Sequence, residues 1–344
     1  MKGERRVAER LLAEAYDPCG AARLLVTTLG WGDLAATIAE AEPQAKIDCA
    51  VWDAYAAARA TERLTPLSNV NVCCDVDLPA GPYDRIVMPT RFDGDGELTR
   101  ELILQAFERL VPGGQLRMAT DNPNDRWLRD ELRRWSPHVS IAPSADGVRY
   151  RMTRPDPLPR SRDFSAETIF RDGERLIELR TRPGVFSHRR IDPGARCLIE
   201  AMEVEPGARV LDLGCGSGAV GVAAALRAEG VRLTAIDSSP RAVQATRWAC
   251  DRAGLREARV LLEAEGAVPD PGTFDLVLAN PPYYSGHRIP EVMVKAALAA
   301  LRPGGKLLIV TKEPEWYLER LTPHAERLEA IELRKYRVVC ATVD

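Results

Sequence analysis

Asp212-Leu213-Gly214-Cys215-Gly216-Ser217-Gly218 closes the apolar run 208–213 and opens onto a stretch, 219–228, of helical composition. A buried strand, a glycine-rich turn and a helix in that order form the first βα unit of a parallel sheet, with glycine permitting a tight turn and close backbone approach to a ligand. Outward from it, the apolar runs 231–236, 274–279 and 306–311 read as further buried parallel strands. Between the second and third strands Ser239 is placed to cap a helix, Pro240 suits its first turn and Gly254 terminates it, so the helix runs through Trp248. The fold class is α/β.

The pattern occurs twice. Pro303-Gly304-Gly305-Lys306-Leu307 lies 191 residues after Pro112-Gly113-Gly114-Gln115-Leu116, and the same offset aligns Phe274-Asp275 with Tyr83-Asp84. Ala208-Arg209-Val210-Leu211 follows Ala22-Arg23-Leu24-Leu25 at an offset of 186. Two tandem copies of one Rossmann-like fold account for three matches in the same order. The copies differ where chemistry would occur: Val26-Thr27-Thr28-Leu29-Gly30-Trp31-Gly32 lacks the acid and one glycine of the second loop, and Pro89 stands where the second copy has Asn280. The first copy therefore reads as degenerate. Alternating prolines in Arg154-Pro155-Asp156-Pro157-Leu158-Pro159-Arg160 mark a stiff connector. The expected division is a degenerate domain at 1–153, a linker at 154–162 and a catalytic domain at 163–344.

The loop itself admits two ligands. Gly216, Gly218 and Gly221 satisfy G-x-G-x-x-G with Asp237 some 20 residues on, the pattern of a dinucleotide site. Asp212 at the strand end would repel a pyrophosphate but suits the cationic amino-acid end of S-adenosylmethionine. With Gly214, Gly216 and Gly218 it forms the candidate cofactor loop. Asp237, ending the second strand, can accept from both ribose hydroxyls. Glu265 and Gly266, after the third strand, fall either at the adenine edge or on an exposed loop.

Asn280-Pro281-Pro282-Tyr283 follows the strand 274–279 at the carboxyl edge, where α/β sheets bind ligands. A conjugated amine has a delocalised lone pair, so transfer to it benefits from acceptors that hold its N–H bonds. The Asn280 side-chain oxygen and the Pro281 carbonyl are candidates, Pro282 stiffens the loop, and Tyr283 offers a face for stacking. Tyr284 is a further substrate candidate. His287 reads first as a solvated loop histidine, and Trp248 and Trp316 as packing residues.

Composition limits the remainder. A net charge of -3 excludes a uniformly basic nucleic-acid binder, although the arginines at 149, 151, 154, 160, 162, 180, 182, 189, 190 and 196 cluster around the connector. No run of about 18 apolar residues predicts a membrane span. The eight cysteines lack CxxC spacing, so neither zinc nor disulfides are expected. A soluble, cytoplasmic, metal-free monomer is the expectation.

Taken together, these motifs resemble class I S-adenosylmethionine-dependent methyltransferases of the "methyltransferase small" type, and within them the tandem-domain bacterial ribosomal RNA guanine-N2 methyltransferases. The resemblance covers nearly the whole chain and includes Arg182-Pro183-Gly184-Val185-Phe186-Ser187 ahead of the catalytic core. It implies S-adenosylmethionine as cofactor and ribosomal RNA or a ribosomal subunit as partner. It further implies that Asn280 orients a guanine amine, that Tyr283 stacks on the flipped base, and that Arg182 and Phe186 help cover the site. Those enzymes typically carry phenylalanine and histidine where this chain has Tyr283 and Tyr284. Asn-Pro-Pro-Tyr is also similar to protein glutamine-N5 and adenine-N6 methyltransferases, while a non-catalytic RNA-binding assembly factor is the alternative outside enzymes.

Overall fold

A computed structural model describes residues 6–282 and 286–344, and the chain separates into two compact units, Met1–Phe164 and Ser165–Asp344. The first unit contains β1 (Arg23–Thr27), β2 (Lys46–Val51), β3 (Val70–Cys74), β4 (Tyr83–Thr90), β5 (Leu110–Thr120), β6 (Ser140–Pro143) and β7 (Val148–Thr153). Its helices are α1 (Val7–Glu14), α2 (Asp33–Ala41), α3 (Ala54–Leu64), α4 (Gly96–Arg109) and α5 (Trp127–Arg133). The strand order is β3-β2-β1-β4-β5-β7-β6, parallel through β5 and antiparallel at β7 and β6.

The second unit opens with a separate hairpin, β8 (Ala166–Asp172) and β9 (Arg175–Thr181). Then come α6 (Pro193–Ala201), β10 (Arg209–Leu213), α7 (Ala219–Arg227), β11 (Arg232–Asp237), α8 (Pro240–Arg252), β12 (Arg259–Leu262) and β13 (Phe274–Ala279). α9 (Arg288–Ala300), β14 (Leu301–Thr311), α10 (Pro314–Leu321), β15 (Ala325–Leu333) and β16 (Tyr336–Val343) complete it. The order β12-β11-β10-β13-β14-β16-β15 repeats that of the first sheet.

The repetition reaches individual residues. Leu24 pairs with Arg85 and Val210 with Leu276, the same register at the two sequence offsets. Asp84 accepts from the backbone N–H groups of Ala22 and Arg23 at 2.9 Å, and Asp275 accepts from Arg209 at 2.7 Å. Both Pro-Gly-Gly segments lie inside the long strands β5 and β14 as irregularities where the register shifts, not in turns ahead of them. The strand expected over 306–311 accordingly begins five residues earlier, at Leu301.

Helices on both faces explain the unbroken apolar strands. In the second sheet Val210, Leu276, Leu278, Leu308 and Val310 join one core, while Leu211, Leu213, Val277, Ala279, Leu307 and Ile309 join the other. Val222, Ala223 and Ala224 of α7 are wholly buried, so small side chains bring this helix close to the sheet. α8 starts as read: the Ser239 hydroxyl caps it by accepting from Ala242, Pro240 follows, and Gly254 leaves it in the left-handed region. The segment read as a connector is tied to the first unit at both ends, by Arg154 N–H to the Gly114 carbonyl at 2.8 Å and by burial of Phe164 in that unit's core. Among the described residues no helix is long and apolar enough to cross a membrane, and no three His, Cys, Asp or Glu side chains are grouped to hold a metal.

Candidate functional site

The strands β10, β11 and β13 end side by side, because β10 pairs with both neighbours. Their carboxyl ends carry Asp212, Asp237 and Asn280, with the glycine loop rising between them.

Asp212 lies beneath that loop, 3% exposed, with Oδ2 accepting from the Gly221 N–H at 2.9 Å. A Cβ on Gly221 would stand 2.8 Å from the same oxygen, so only glycine lets α7 come this near. Burial pushes the Asp212 carboxyl up to about 7, the Gly221 N–H pulling it down and the Asp237 charge adding to the rise. Gly214, Gly216 and Gly218 all have positive φ. A Cβ on Gly216 would meet no atom nearer than the Gly214 carbonyl at 4.0 Å, so the loop backbone faces open space that a ligand can occupy. Thr246 of α8, which the sequence reading passed over, secures the loop from behind by donating toward the Cys215 sulfur and the Gly216 carbonyl, each at 3.2 Å.

Asp237 braces the loop against the next helix. Its Oδ2 accepts from Gly216 N–H at 2.9 Å and its Oδ1 from Ser239 N–H at 2.8 Å. Beyond β12 the turn is set by Glu263, which accepts from the N–H groups of Glu265 at 2.7 Å and Gly266 at 3.0 Å. Glu265 is exposed, and Gly266 sits against Val292 of α9. α9 also brings Met293 toward Gly214, so one helix flanks both ends of the loop cradle.

Asn280 is oriented by a residue that sequence reading missed. Asp192, the N-cap of α6, accepts from Ala195 N–H at 2.9 Å and from Asn280 Nδ2 at 2.8 Å through the same Oδ2. A carboxylate only accepts, so the Asn280 amide must present NH2 to Asp192 and turn Oδ1 elsewhere. That oxygen lies beside Gly194, where a Cβ would be 3.1 Å away. Pro281 is buried and Pro282 half-buried, which anchors the start of the loop, whereas Tyr283 and Tyr284 lie outside the described residues. At the loop's far end His287, read from sequence as a solvated histidine, contacts Glu313 through Nε2 at 2.6 Å and stacks on Trp316 with ring centroids 4.5 Å apart.

Arg182 and Phe186 belong to the turn after β9. Val185 is buried there and Phe186 is 64% exposed. The buried Arg241 of α8 donates to the Pro183 carbonyl at 2.7 Å, which holds this turn against the helix that begins just after Asp237.

The equivalent loop of the first unit is filled by its own chain. α1 precedes β1 as α6 precedes β10, and Glu9 stands at the position of Ala195 by the offset of 186. Buried at 2% exposure, Glu9 accepts from the Thr28 hydroxyl at 2.6 Å and from Leu29 N–H at 2.7 Å. Thr28 in turn accepts from Gly30 and Gly32 N–H groups. Side chains have taken the amides that an intact loop would offer.

An open glycine cradle between two strand-end acids, next to an amide held in one orientation, is the layout of a class I S-adenosylmethionine-dependent methyltransferase. Residues 176–340 match the model of the methyltransferase small domain. The ribosomal RNA large subunit methyltransferase G of Stutzerimonas stutzeri (strain A1501) is 30% identical over 278 residues, which are 77% of this chain and 72% of that protein. The ribosomal RNA small subunit methyltransferase C of Pseudomonas entomophila (strain L48) is 36% identical over 132 residues, 37% of this chain and only 39% of that relative's length. Among solved structures, the T. thermophilus 16S rRNA N2 G1207 methyltransferase in complex with AdoMet and guanosine superposes with a TM-score of 0.81 at 22% identity, over 100% of this chain and 93% of the other. The chain belongs to the methyltransferase small domain family of ribosomal RNA methyltransferases.

Proposed function

We propose that the second unit methylates an exocyclic amine of a base in ribosomal RNA, guanine N2 of the small subunit, and that the first unit binds no cofactor. The observation that carries this reading is the orientation of Asn280: with NH2 committed to Asp192, Oδ1 is left to accept an N–H from the substrate amine. Bound S-adenosylmethionine supplies a sulfonium methyl that is already activated, so the chain's task is positioning, worth on the order of 7–11 kcal/mol when reactants are well aligned. Asn280 Oδ1 and the Pro281 carbonyl hold the two amine hydrogens and aim the lone pair at the methyl group, and the proton released from nitrogen passes to water. Asp212 would receive the amino-acid end of the cofactor, Asp237 would accept from its ribose hydroxyls, and Glu265 and Gly266 would meet its adenine edge. In this reading Tyr283 would stack on a base flipped from structured RNA, Tyr284 would be a further substrate contact, and Arg182 and Phe186 would help cover the site. The names of the relatives, which divide between small and large subunits, support RNA over a protein glutamine as acceptor.

Mass mapping of ribosomal RNA from a strain lacking the gene tests this. One methyl should disappear from one guanine of the small-subunit RNA and return with the wild-type gene but not with Asn280→Ala. Loss from a large-subunit guanine would reassign the subunit, and intact methylation of both RNAs would overturn the reading.

A further inference from the structure

In the first unit, α5 and the β6–β7 hairpin enclose a depression of about 340 Å³ lined by Arg126, Arg129, Arg133, Asn124, Asp125 and Tyr150 together with apolar side chains that include Ile141 and Val148. Arg126 directly precedes α5, and Arg129 and Arg133, four residues apart, share one face of it. Each acid around them already has a partner. Asp125, itself part of the lining, accepts from Tyr150 Oη at 2.6 Å and from the first-turn N–H groups of Leu128 and Arg129 at 3.3 Å. Glu131 is buried and pairs with Arg100 at 2.8 Å. Asp130 pairs with Arg129 at 2.8 Å. Arg126 and Arg133 are exposed, and among the described residues neither has a hydrogen bond or ion pair.

The corresponding place in the second unit has the opposite character. α10 follows β14 as α5 follows β5, yet its exposed charges include Glu313, Glu315 and Glu319. The exposed charges at this place are thus mainly arginine in the first unit and glutamate in the second. The exposed guanidiniums of Arg126 and Arg133, which line this depression beside the Asn124 amide, match phosphate oxygens, which arginine takes bidentately.

We propose that this depression docks the phosphate backbone of structured RNA, an inference that rests on the reading of RNA as substrate and assigns the first unit a surface for it. Phosphate contacts position a protein without reading sequence and make affinity fall with salt. The test uses the full chain, an in vitro 16S rRNA transcript and potassium chloride from low to high concentration. Wild type is compared with Arg126→Gln/Arg133→Gln and with the charge-conserving Arg126→Lys/Arg133→Lys, and cofactor affinity is measured on each. The glutamine pair should bind RNA about tenfold more weakly at low salt, with a log–log salt slope shallower by about 2, one for each phosphate no longer neutralised. The lysine pair should stay near wild type, and cofactor affinity should be unchanged in all three. Wild-type affinity and slope in the glutamine pair, or equal weakening in the lysine pair, would overturn the proposal. So would unchanged binding of the transcript with reduced methylation of assembled subunits, since that would make an acidic protein the partner. Failure of the functional reading is distinguishable, because the wild-type chain would then neither bind nor methylate ribosomal RNA.

Discussion

Replacing Asp212 by asparagine should strengthen the free second unit and weaken its hold on the cofactor. The buried carboxyl moves from 3.8 to about 7 on folding, which at 1.36 kcal/mol per pH unit amounts to about 4 kcal/mol against the ionised form. Below about pH 4 both folded and unfolded chains are protonated and nothing is lost. Between 4 and 7 the folded chain keeps a proton that the unfolded one has released, so stability falls as pH rises; above 7 the full penalty stays. The asparagine side chain would keep an oxygen for the Gly221 N–H and never ionise. The stability gap of Asp212→Asn over wild type should therefore open between pH 4.5 and 7.5, by about 2–4 kcal/mol, and then level off. Urea unfolding at several pH values measures it, the second unit's transition being the one that added S-adenosylmethionine displaces. Cofactor binding carries the opposite sign: a cation near Asp212 favours the ionised form, so wild-type affinity should rise with pH up to about 7 and the variant's should not. A gap independent of pH, or cofactor affinity with the same pH profile in both proteins, would refute the reasoning.

Other perturbations separate the remaining roles. Asn280→Ala should lower kcat at least about 100-fold while calorimetric affinity for S-adenosylmethionine stays within a few-fold, because the amide faces the acceptor rather than the cofactor. Asp192→Ala should cost about 1 kcal/mol through the lost cap of α6 and lower kcat by ~10-fold or more without changing cofactor affinity, as Asn280 is freed to turn over; an unchanged kcat would remove Asp192 from the positioning of the site. Calorimetric titration of the intact chain should give one cofactor per chain, and a stoichiometry of two would show that Glu9 does not close the first loop.

What could be read from the sequence was whatever is local. The glycine loop, its strand and the helix capped by Ser239 are each written in a few consecutive residues, and the duplication showed because Pro-Gly-Gly and the Asp84 and Asp275 positions recur at fixed offsets. What escaped depends on partners distant in the chain. Asp192 before Pro193 reads as a helix cap and nothing more; only the packing of α6 against β14 and β16 brings it to Asn280, 88 residues away. Glu9 meets Thr28 for the same reason. After the third strand, Glu263 shapes the turn that carries Glu265 and Gly266 by accepting from both of their N–H groups, a role that spacing alone does not reveal. The final antiparallel pair, β15 and β16, was not foreseen, since nine-residue β15 has no buried position and lacks the apolar run of the sheet's parallel strands.

The acid at position 9 gives the first unit a direction in evolution. A loop that merely lost its ligand would keep vacant amides, and a single reversion could restore some binding. Here the vacant hydrogen-bonding capacity has been taken up inside the protein, by a carboxylate shielded from solvent and tied to a threonine. Restoring a ligand would require removal of Glu9, which strands those amides, together with an acid at 26 and a glycine at 28, and each step taken alone leaves a buried polar group without its partner. On the reading that this copy binds no cofactor, the closure works as a ratchet: the loop stays shut while the outer surface is free to change.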